Sequence, residues 1–386
     1  MQQHIIALID CDCFYVSCER KDNISLQGKP VCVMTSNSDK GIIVSRSKEA
    51  KALGIKMGAP YFQVKHTHKN AICVPARLER YAQISNMVME VIKTFSPDVE
   101  VVSVDEAYVD LTGLNKVYKT SYTQIIQNIR QCIWDKLQIP VSIGLSCSKT
   151  LSKLASDMAK NTGGIFVIRP DKIQEIIGDI KIEQICGIGH KNSLNLNYYG
   201  VFTVNDFLNK DNVWIKKVLG INGFNLKQEL LGNATSLVNK NPVAPQSVQD
   251  TKSFEDFTDS LEFLQHSLNT HVHASCKKLR QWNGFCGGIE VMLRTKDFKI
   301  LSIGTRFEKL TNSDFDITTS AQKLLQTIYR PNLVYRSVGI TLKHLCYGKQ
   351  VQQSLFEQTT PYDDKLLRVL DELDNKFGQG KVKIGM

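Results

Sequence analysis

The sequence contains no run of 18 or more apolar residues, so no segment of it is expected to cross a membrane as a helix. A secretory leader needs a basic start, a longer apolar core and a small-residue cleavage site. The segment from Met1 to Asp10 offers only a few apolar residues before it meets carboxylates. There is no CxxC pair among the eleven cysteines, an odd number scattered singly. Cys11, Cys13 and Cys18 cluster, but without the second cluster that a zinc site would need. Reduced thiols used as small hydrophobes are the simpler expectation. His66 with His68, and His271 with His273, supply two ligands each and no recognisable partners. Internal repeats and low-complexity tracts are also missing. These absences leave a cytoplasmic globular protein as the expectation.

A chain of 386 residues is long enough for about two to four domains. At 42% hydrophobic and 22% charged it has ordinary globular composition. A formal net charge of +10 favours a polyanionic partner, either nucleic acid or an anionic membrane surface. Ile5 to Ile9 reads as a strand buried on both faces, and it ends abruptly in Asp10-Cys11-Asp12. A carboxylate at the end of such a strand is costly unless something pairs it.

Val31 to Met34 reads as a second strand, Lys48 to Leu53 as a short helix stopped by Gly54, and Leu78 to about Phe95 as a longer helix. Val99 to Leu111 alternates like two strands around Asp105-Glu106. A helix at Ile125 to Leu137, a strand at Val141 to Leu145 and a helix at Lys149 to Lys160 complete an α+β region around a largely antiparallel sheet. From Pro170 to about Gly232 short helices with glycine breaks take over. Asn239 to Ser247 has linker composition. Beyond it, strands at Val248 to Phe254, Gly287 to Thr295, Ile300 to Phe307 and Ser337 to Lys343, with helices at Leu261 to Gln281 and Ser320 to Ile328, form a second α+β unit. Leu366, Leu367, Leu370 and Leu373 suggest a terminal helix.

Two acidic sites stand out: Asp10 at a strand end and Asp105-Glu106 between two strands. Two-metal nucleotidyl transfer needs carboxylates that converge from separate rigid elements and hold the ions roughly 4 Å apart. An acidic pair is also common in a plain hairpin turn, so spacing alone leaves both readings open. In the helix at Lys149 to Lys160, Leu151, Leu154, Ala155 and Met158 form one apolar face. Lys149, Lys153 and Lys160 form a basic stripe elsewhere on it, for which a solvated face is the simplest expectation.

The flanking residues narrow the choice. Ser103-Val104-Asp105-Glu106-Ala107-Tyr108-Val109-Asp110 resembles the catalytic signature of Y-family DNA polymerases, the DinB/UmuC group. Ile9-Asp10-Cys11-Asp12-Cys13-Phe14-Tyr15, with Glu19 downstream, is similar to the same family's first motif, and the likeness runs from about residue 4 to 346. The resemblance implies a right-hand polymerase of low fidelity for translesion synthesis. Its metal ligands would be Asp10, Asp105, Glu106 and the Cys11 carbonyl, and its cofactor two Mg2+ ions, with Mn2+ as a substitute. Primer-template DNA and deoxynucleoside triphosphates would be the partners, without a membrane, and the protein would be monomeric.

Carried over position by position, Tyr15 would be the aromatic gate under the incoming sugar, beside Phe14. Ser45 to Gly54 resembles the fingers segment that grips the triphosphate. Many relatives carry Tyr and Arg where this chain has Lys48 and Lys51, and Lys is a point charge where Arg binds bidentately. Ser45 and Lys51 are expected on phosphate, and Lys48 on a solvated helix face. Lys160 matches the lysine that meets nucleotide phosphates in the family. Ile185 to Lys191 resembles a helix-hairpin-helix, with Gly187, Gly189 and Lys191 against DNA phosphate and Cys186 where proline is usual.

The expected organisation is a palm at 1–165 with fingers inserted at about 20–75, then a thumb at 166–235 and a linker at 236–246. A little finger at 247–346 and a tail at 347–386 follow. Little-finger cations including Lys277, Lys278, Arg294, Lys296, Arg306 and Arg336 are candidates for the template backbone. In the tail, Gln352-Gln353-Ser354-Leu355-Phe356 resembles a sliding-clamp peptide, in which Gln352, Leu355 and Phe356 would be the anchors. Two rivals are a nucleotide cyclase and a DNA-binding repair factor that is catalytically inert or partner-dependent. A cyclase has no use for a helix-hairpin-helix or a basic second domain, and an inert binder has no need to keep all three carboxylates.

Overall fold

In a computed structural model of the chain, which describes residues 4–348 and 361–377, the apolar run before Asp10 is the central strand of a five-stranded sheet. The first unit, which ends at Pro242, contains β1 (Ile6–Cys11), β2 (Val31–Met34), β3 (Ile43–Arg46), β4 (Ile72–Pro75), β5 (Val99–Val101), β6 (Glu106–Asp110), β7 (Val141–Ser146) and β8 (Ile165–Val167). The sheet order is β5-β6-β1-β7-β8, and only the β7–β8 pair is parallel. All six residues of β1 are buried, as a strand covered on both faces requires.

Side chains alternate along a strand, so the two faces of the sheet bury different residues. Ala7, Ile9 and Cys11 share a core with the helices Leu78–Lys93 and Tyr122–Leu137. The helix Lys149–Ala159 lies against Gly144 of β7 so closely that a Cβ there would sit 2.0 Å from the Ser156 backbone nitrogen. Ser152 and Ser156 line that contact and are fully buried. Ser152 Oγ donates to the Ile6 carbonyl at 2.7 Å, and small serines let helix and sheet approach backbone to backbone. Leu151, Leu154 and Ala155 of the same helix pack with Ile173, Ile177, Ile185, Leu196 and Phe207 from the short helices that follow.

Two differences from the sequence reading bear on the site. The strand expected to run through Val102 and Val104 stops at Val101, and both valines are half exposed. The cause is a tight turn: Val102 N and Ser103 N both donate to the Glu106 carbonyl, at 3.0 and 3.2 Å. A small sheet, β3-β2-β4, also carries two strands that the periodicity did not reveal, with a core of Cys32, Met34, Ile43, Ala50, Ile55 and Val64.

The second unit, from Val243, has a four-stranded antiparallel sheet in the order β11-β10-β12-β9. Its strands are β9 (Val248–Thr258), β10 (Gly284–Thr295), β11 (Ile300–Thr311) and β12 (Tyr335–Tyr347). Each is longer than its apolar alternation suggested. The helices Leu261–Gln281 and Asp314–Ile328 bury Leu264, Leu268, Val272, Ile317, Ala321 and Leu325 with Val291, Leu293, Val338 and Ile340. The second of these begins six residues before the expected Ser320, with Asp314 and Asp316 in its first turn. A terminal helix, Pro361–Phe377, is present, with Leu367 and Leu370 buried. Its Asp371 accepts two hydrogen bonds from Arg280, at 2.8 and 2.7 Å. Among the described residues no helix is long and apolar enough to cross a membrane.

Candidate active site

Pairing between β1 and β6 sets Asp10 directly opposite Glu106. The next residue along, Cys11, donates its backbone N–H to the Asp105 carbonyl at 2.8 Å, so all three acidic residues meet at one end of the sheet. Asp10 is 8% exposed, and burial pushes its carboxyl above the ordinary value against the pull of Lys160 and Lys153. Lys160 Nζ donates to Asp10 Oδ2 at 3.0 Å. Lys153 Nζ donates to Glu106 Oε2 and lies 3.8 Å from Asp10 Oδ2. Burial draws both lysines down, but the facing carboxylates outweigh it and leave them raised and charged.

The lysine stripe is therefore not a solvated face. Lys149 completes it with a hydrogen bond to Glu100 Oε2 at 2.6 Å. The reason is geometric: the helix is held on β7 by its serines, which turns the adjacent stripe toward the sheet's acidic end. Lys153 is the site residue that sequence reasoning passed over. Its signal was the i, i+4 spacing from Lys149, which becomes informative only once the carboxylates are known to face that helix.

Asp105 differs from its neighbours because its Oδ1 accepts a hydrogen bond from Ser103 Oγ inside the turn. Among the described residues no three His, Cys, Asp or Glu side chains are gathered as a metal cluster. The donors nonetheless fit a hard divalent cation, because Asp10 and Glu106 already share one ammonium, and Asp105 precedes Glu106 in the chain and is tied by its carbonyl to Cys11, next to Asp10. Cys11 is buried, and burial followed by the charges of Asp10 and Asp105 pushes its thiol well up, so it stays neutral. Asp12 accepts from Ser142 Oγ at 2.8 Å and lies 3.8 Å from Lys48 Nζ.

Phe14 and Tyr15 begin the helix Phe14–Asp22, entered through a left-handed Cys13 at φ 47°. Phe14 is a core residue at 3% exposure. Tyr15 is half-buried and stacks on Tyr81, and burial, then Asp105, raises its hydroxyl pKa. Ser45 is buried in β3 opposite Val33, away from solvent. Lys51 lies exposed on the short helix Lys48–Ala52, which is capped by Ser47 accepting from Ala50 N at 3.1 Å. Lys48 is 68% exposed at its side chain, as expected, with its ammonium turned toward Asp12.

Farther along the unit, Gly187 has φ +98° and Gly189 caps the helix His190–Tyr198 without a side-chain partner. A Cβ on either glycine would meet nothing within 4 Å, and Lys191 is exposed beside them. The first helix of the expected helix-hairpin-helix is a single 3-10 turn, Ile182–Gln184. In the second unit Lys278 pairs with Asp250 at 2.7 Å, and Arg336 lies over Phe298 at 3.9 Å. Arg294 is half-buried, whereas Lys296 and Arg306 are exposed. Gln352, Leu355 and Phe356 lie outside the described residues.

The impB/mucB/samB family model matches residues 9–157, and the model of that family's C-terminal domain matches residues 245–355. Protein UmuC of Salmonella typhimurium is 29% identical across 97% of this chain and 92% of its own length. DNA polymerase IV 1 of Halalkalibacterium halodurans is 31% identical across 87% of this chain and 81% of its own. Among solved structures, the insertion ternary complex of Dbh DNA polymerase aligns at a TM-score of 0.59 and 26% identity, covering 89% of this chain and 100% of that one. The Y-family DNA polymerase chimera Dbh-Dpo4(243-245)-Dbh shares the fold at a TM-score of 0.76 and 24% identity, with the same coverage. On these matches and the acidic strand end they contain, the chain belongs to the impB/mucB/samB family and is a Y-family translesion DNA polymerase.

Proposed function

We propose that the chain extends a DNA primer by two-metal nucleotidyl transfer, with Asp10, Asp105 and Glu106 as ligands of two Mg2+ ions and the Cys11 carbonyl as a further donor. Dependence on divalent metal comes with the family; the number of ions and their identity, with Mn2+ as a substitute, are inferred from the donor set. The observation that carries the reading is the register of β1 against β6, with Lys153 spanning Asp10 and Glu106. Bound cations would lower the pKa of the attacking 3′-hydroxyl and neutralise the triphosphate and leaving group.

The chain's own residues do the rest. Asp10 and Glu106 stand on hydrogen-bonded strands, so their charge is preorganised. Lys160 takes the nucleotide phosphates, with Lys51 serving the same ligand from the fingers, whereas Ser45 is buried in β3 and is left out of that contact. The Tyr15 ring, backed by Phe14, closes on the sugar's C2′ edge and leaves no room for a hydroxyl. Backbone N–H groups about Gly187, Gly189 and Lys191, where a side chain on either glycine would meet nothing within 4 Å, receive a phosphate of the duplex.

Residues 1–165 act as palm with fingers at about 20–75, 166–235 as thumb, 236–246 as linker and 247–346 as little finger. Gln352, Leu355 and Phe356 dock on the sliding clamp from the tail, and the protein works as a monomer in the cytoplasm. Single-turnover insertion across a Mg2+ titration tests the chemistry. The rate should climb with roughly the second power of free Mg2+ at low concentration. Asp10→Ala should lose about a thousandfold or more, since metal charge stabilisation is worth several kcal/mol. A first-power dependence would contradict the ion pair, and an unimpaired Asp10→Ala would contradict the site.

A further inference from the structure

Tyr15 lies flat on Tyr81, with ring centroids 4.5 Å apart and an interplanar angle of 18°. Tyr81 is 1% exposed and belongs to the helix Leu78–Lys93, whose N-cap is Arg77. The Tyr81 hydroxyl donates to Glu19 Oε1 at 2.7 Å. Arg77 holds the same carboxylate in a fork, Nε to Oε1 and Nη2 to Oε2, both at 2.8 Å. Glu19 is itself 7% exposed. Burial, then the Glu19 hydrogen bond, pushes the Tyr81 hydroxyl well above the ordinary phenol range.

These four residues form a brace between two helices. Tyr15 and Glu19 are one turn apart on the first, and Arg77 and Tyr81 one turn apart at the start of the second. Each member has a partner that limits its rotation. Tyr15 cannot move back without displacing Tyr81, and Tyr81 cannot turn without breaking a buried hydrogen bond to a carboxylate already fixed by Arg77. A bidentate Arg–carboxylate pair adds direction as well as energy, so Glu19 is a stiff anchor.

Steric selection depends on such stiffness. A ring that could retreat by an ångström would admit the hydroxyl it is meant to exclude, because the interior resists displacement only where it is densely packed. We propose that Tyr81, anchored by Glu19 and Arg77, is the positioning residue that sets sugar selectivity by holding Tyr15 against the incoming nucleotide. This rests on the reading of Tyr15 as the gate. Tyr81 need not touch substrate, and its removal acts through Tyr15 alone.

The test is the ratio of kcat/KM for a deoxynucleotide over the matching ribonucleotide, measured for the full chain on a primer-template with Mg2+. Tyr15→Ala should collapse the ratio toward unity. Tyr81→Leu should lower it by about tenfold, the scale that a stacked aromatic pair contributes to an equilibrium. The change should come from faster ribonucleotide insertion, with deoxynucleotide insertion little altered. Tyr81→Phe keeps the stacked ring and should restore most of the ratio. The double variant Tyr15→Ala/Tyr81→Leu should match Tyr15→Ala alone, since the brace has nothing left to hold.

A folded Tyr81→Leu with an unchanged ratio, beside a collapsed Tyr15→Ala, would overturn the proposal and leave the gate standing. An unchanged ratio in Tyr15→Ala would remove the gate and the proposal with it. If Tyr81→Leu does not fold, Tyr81→Met, which fills the volume without a flat ring, takes its place under the same criteria.

Discussion

At the scale of single residues the acidic corner depends on which charges are paired. Asp22, beside the Arg77 brace, is the clearest case outside the site. Hydrogen bonds from Arg80, then from Arg77, hold its carboxyl below the ordinary range although burial opposes them. Its stabilising contribution is therefore fully present above the unfolded carboxylate value of about 4 and is lost as pH falls through the depressed value. Asp22→Asn should have a lower melting temperature at pH 7, and the gap should close as the pH is taken below that range. A gap that is constant with pH would contradict the pairing. Asp10, Asp105, Glu106 and Tyr15 stand out as candidates because their neighbours form recognisable motifs. Lys153 and Tyr81 do not, since a lysine on a helix and a tyrosine in an apolar stripe each have an ordinary explanation until their partners across the fold are known. Tyr81 is a core residue, but its hydroxyl ends on a buried carboxylate.

At the scale of elements, strands and helices with strong periodicity were read nearly to their ends, as β1, β2, β7 and the helix Leu261–Gln281 show. What escaped was decided by contacts rather than by pattern. β4 is four residues ending in proline and exists because β2 pairs with it in parallel. The helix Phe14–Asp22 buries Ser17, Cys18 and Glu19 together with its apolar residues, so its inward face carries no clean hydrophobic stripe. Ser152 and Ser156 look like solvent-facing residues in sequence but line the contact of their helix with Gly144. That contact makes Gly144 the element-scale test. A methyl group there would press on the Ser156 and Ser152 backbone, which cannot yield as a flexible side chain would. Gly144→Ala should cost at least the upper part of the usual overpacking range, about 3 kcal/mol. Because the same helix carries Lys153 and Lys160, insertion should slow even in the folded fraction. A variant with the parent's denaturation midpoint and insertion rate would show that the helix does not sit where described.

At the scale of the whole molecule, the net charge of +10 anticipated a polyanion, and two separately cored units agree with a chain that must hold both a reaction centre and a long substrate. Membership of a translesion polymerase family was readable from two short motifs, but the side-chain arrangement of the centre was not. The lysines that occupy Asp10 and Glu106 are tertiary facts with no local signature, and the turn that bonds Asp105 to Ser103, though local, lies hidden in the valine alternation around it. The central claim is that this corner performs template-directed synthesis. It is tested most directly by primer extension on undamaged and abasic templates, with Mg2+ and deoxynucleotides, for the wild-type chain beside Asp105→Ala. The account predicts extension on both templates by the wild type and none above background by the variant. Extension by both proteins alike would contradict the assignment of the chemistry to Asp10, Asp105 and Glu106.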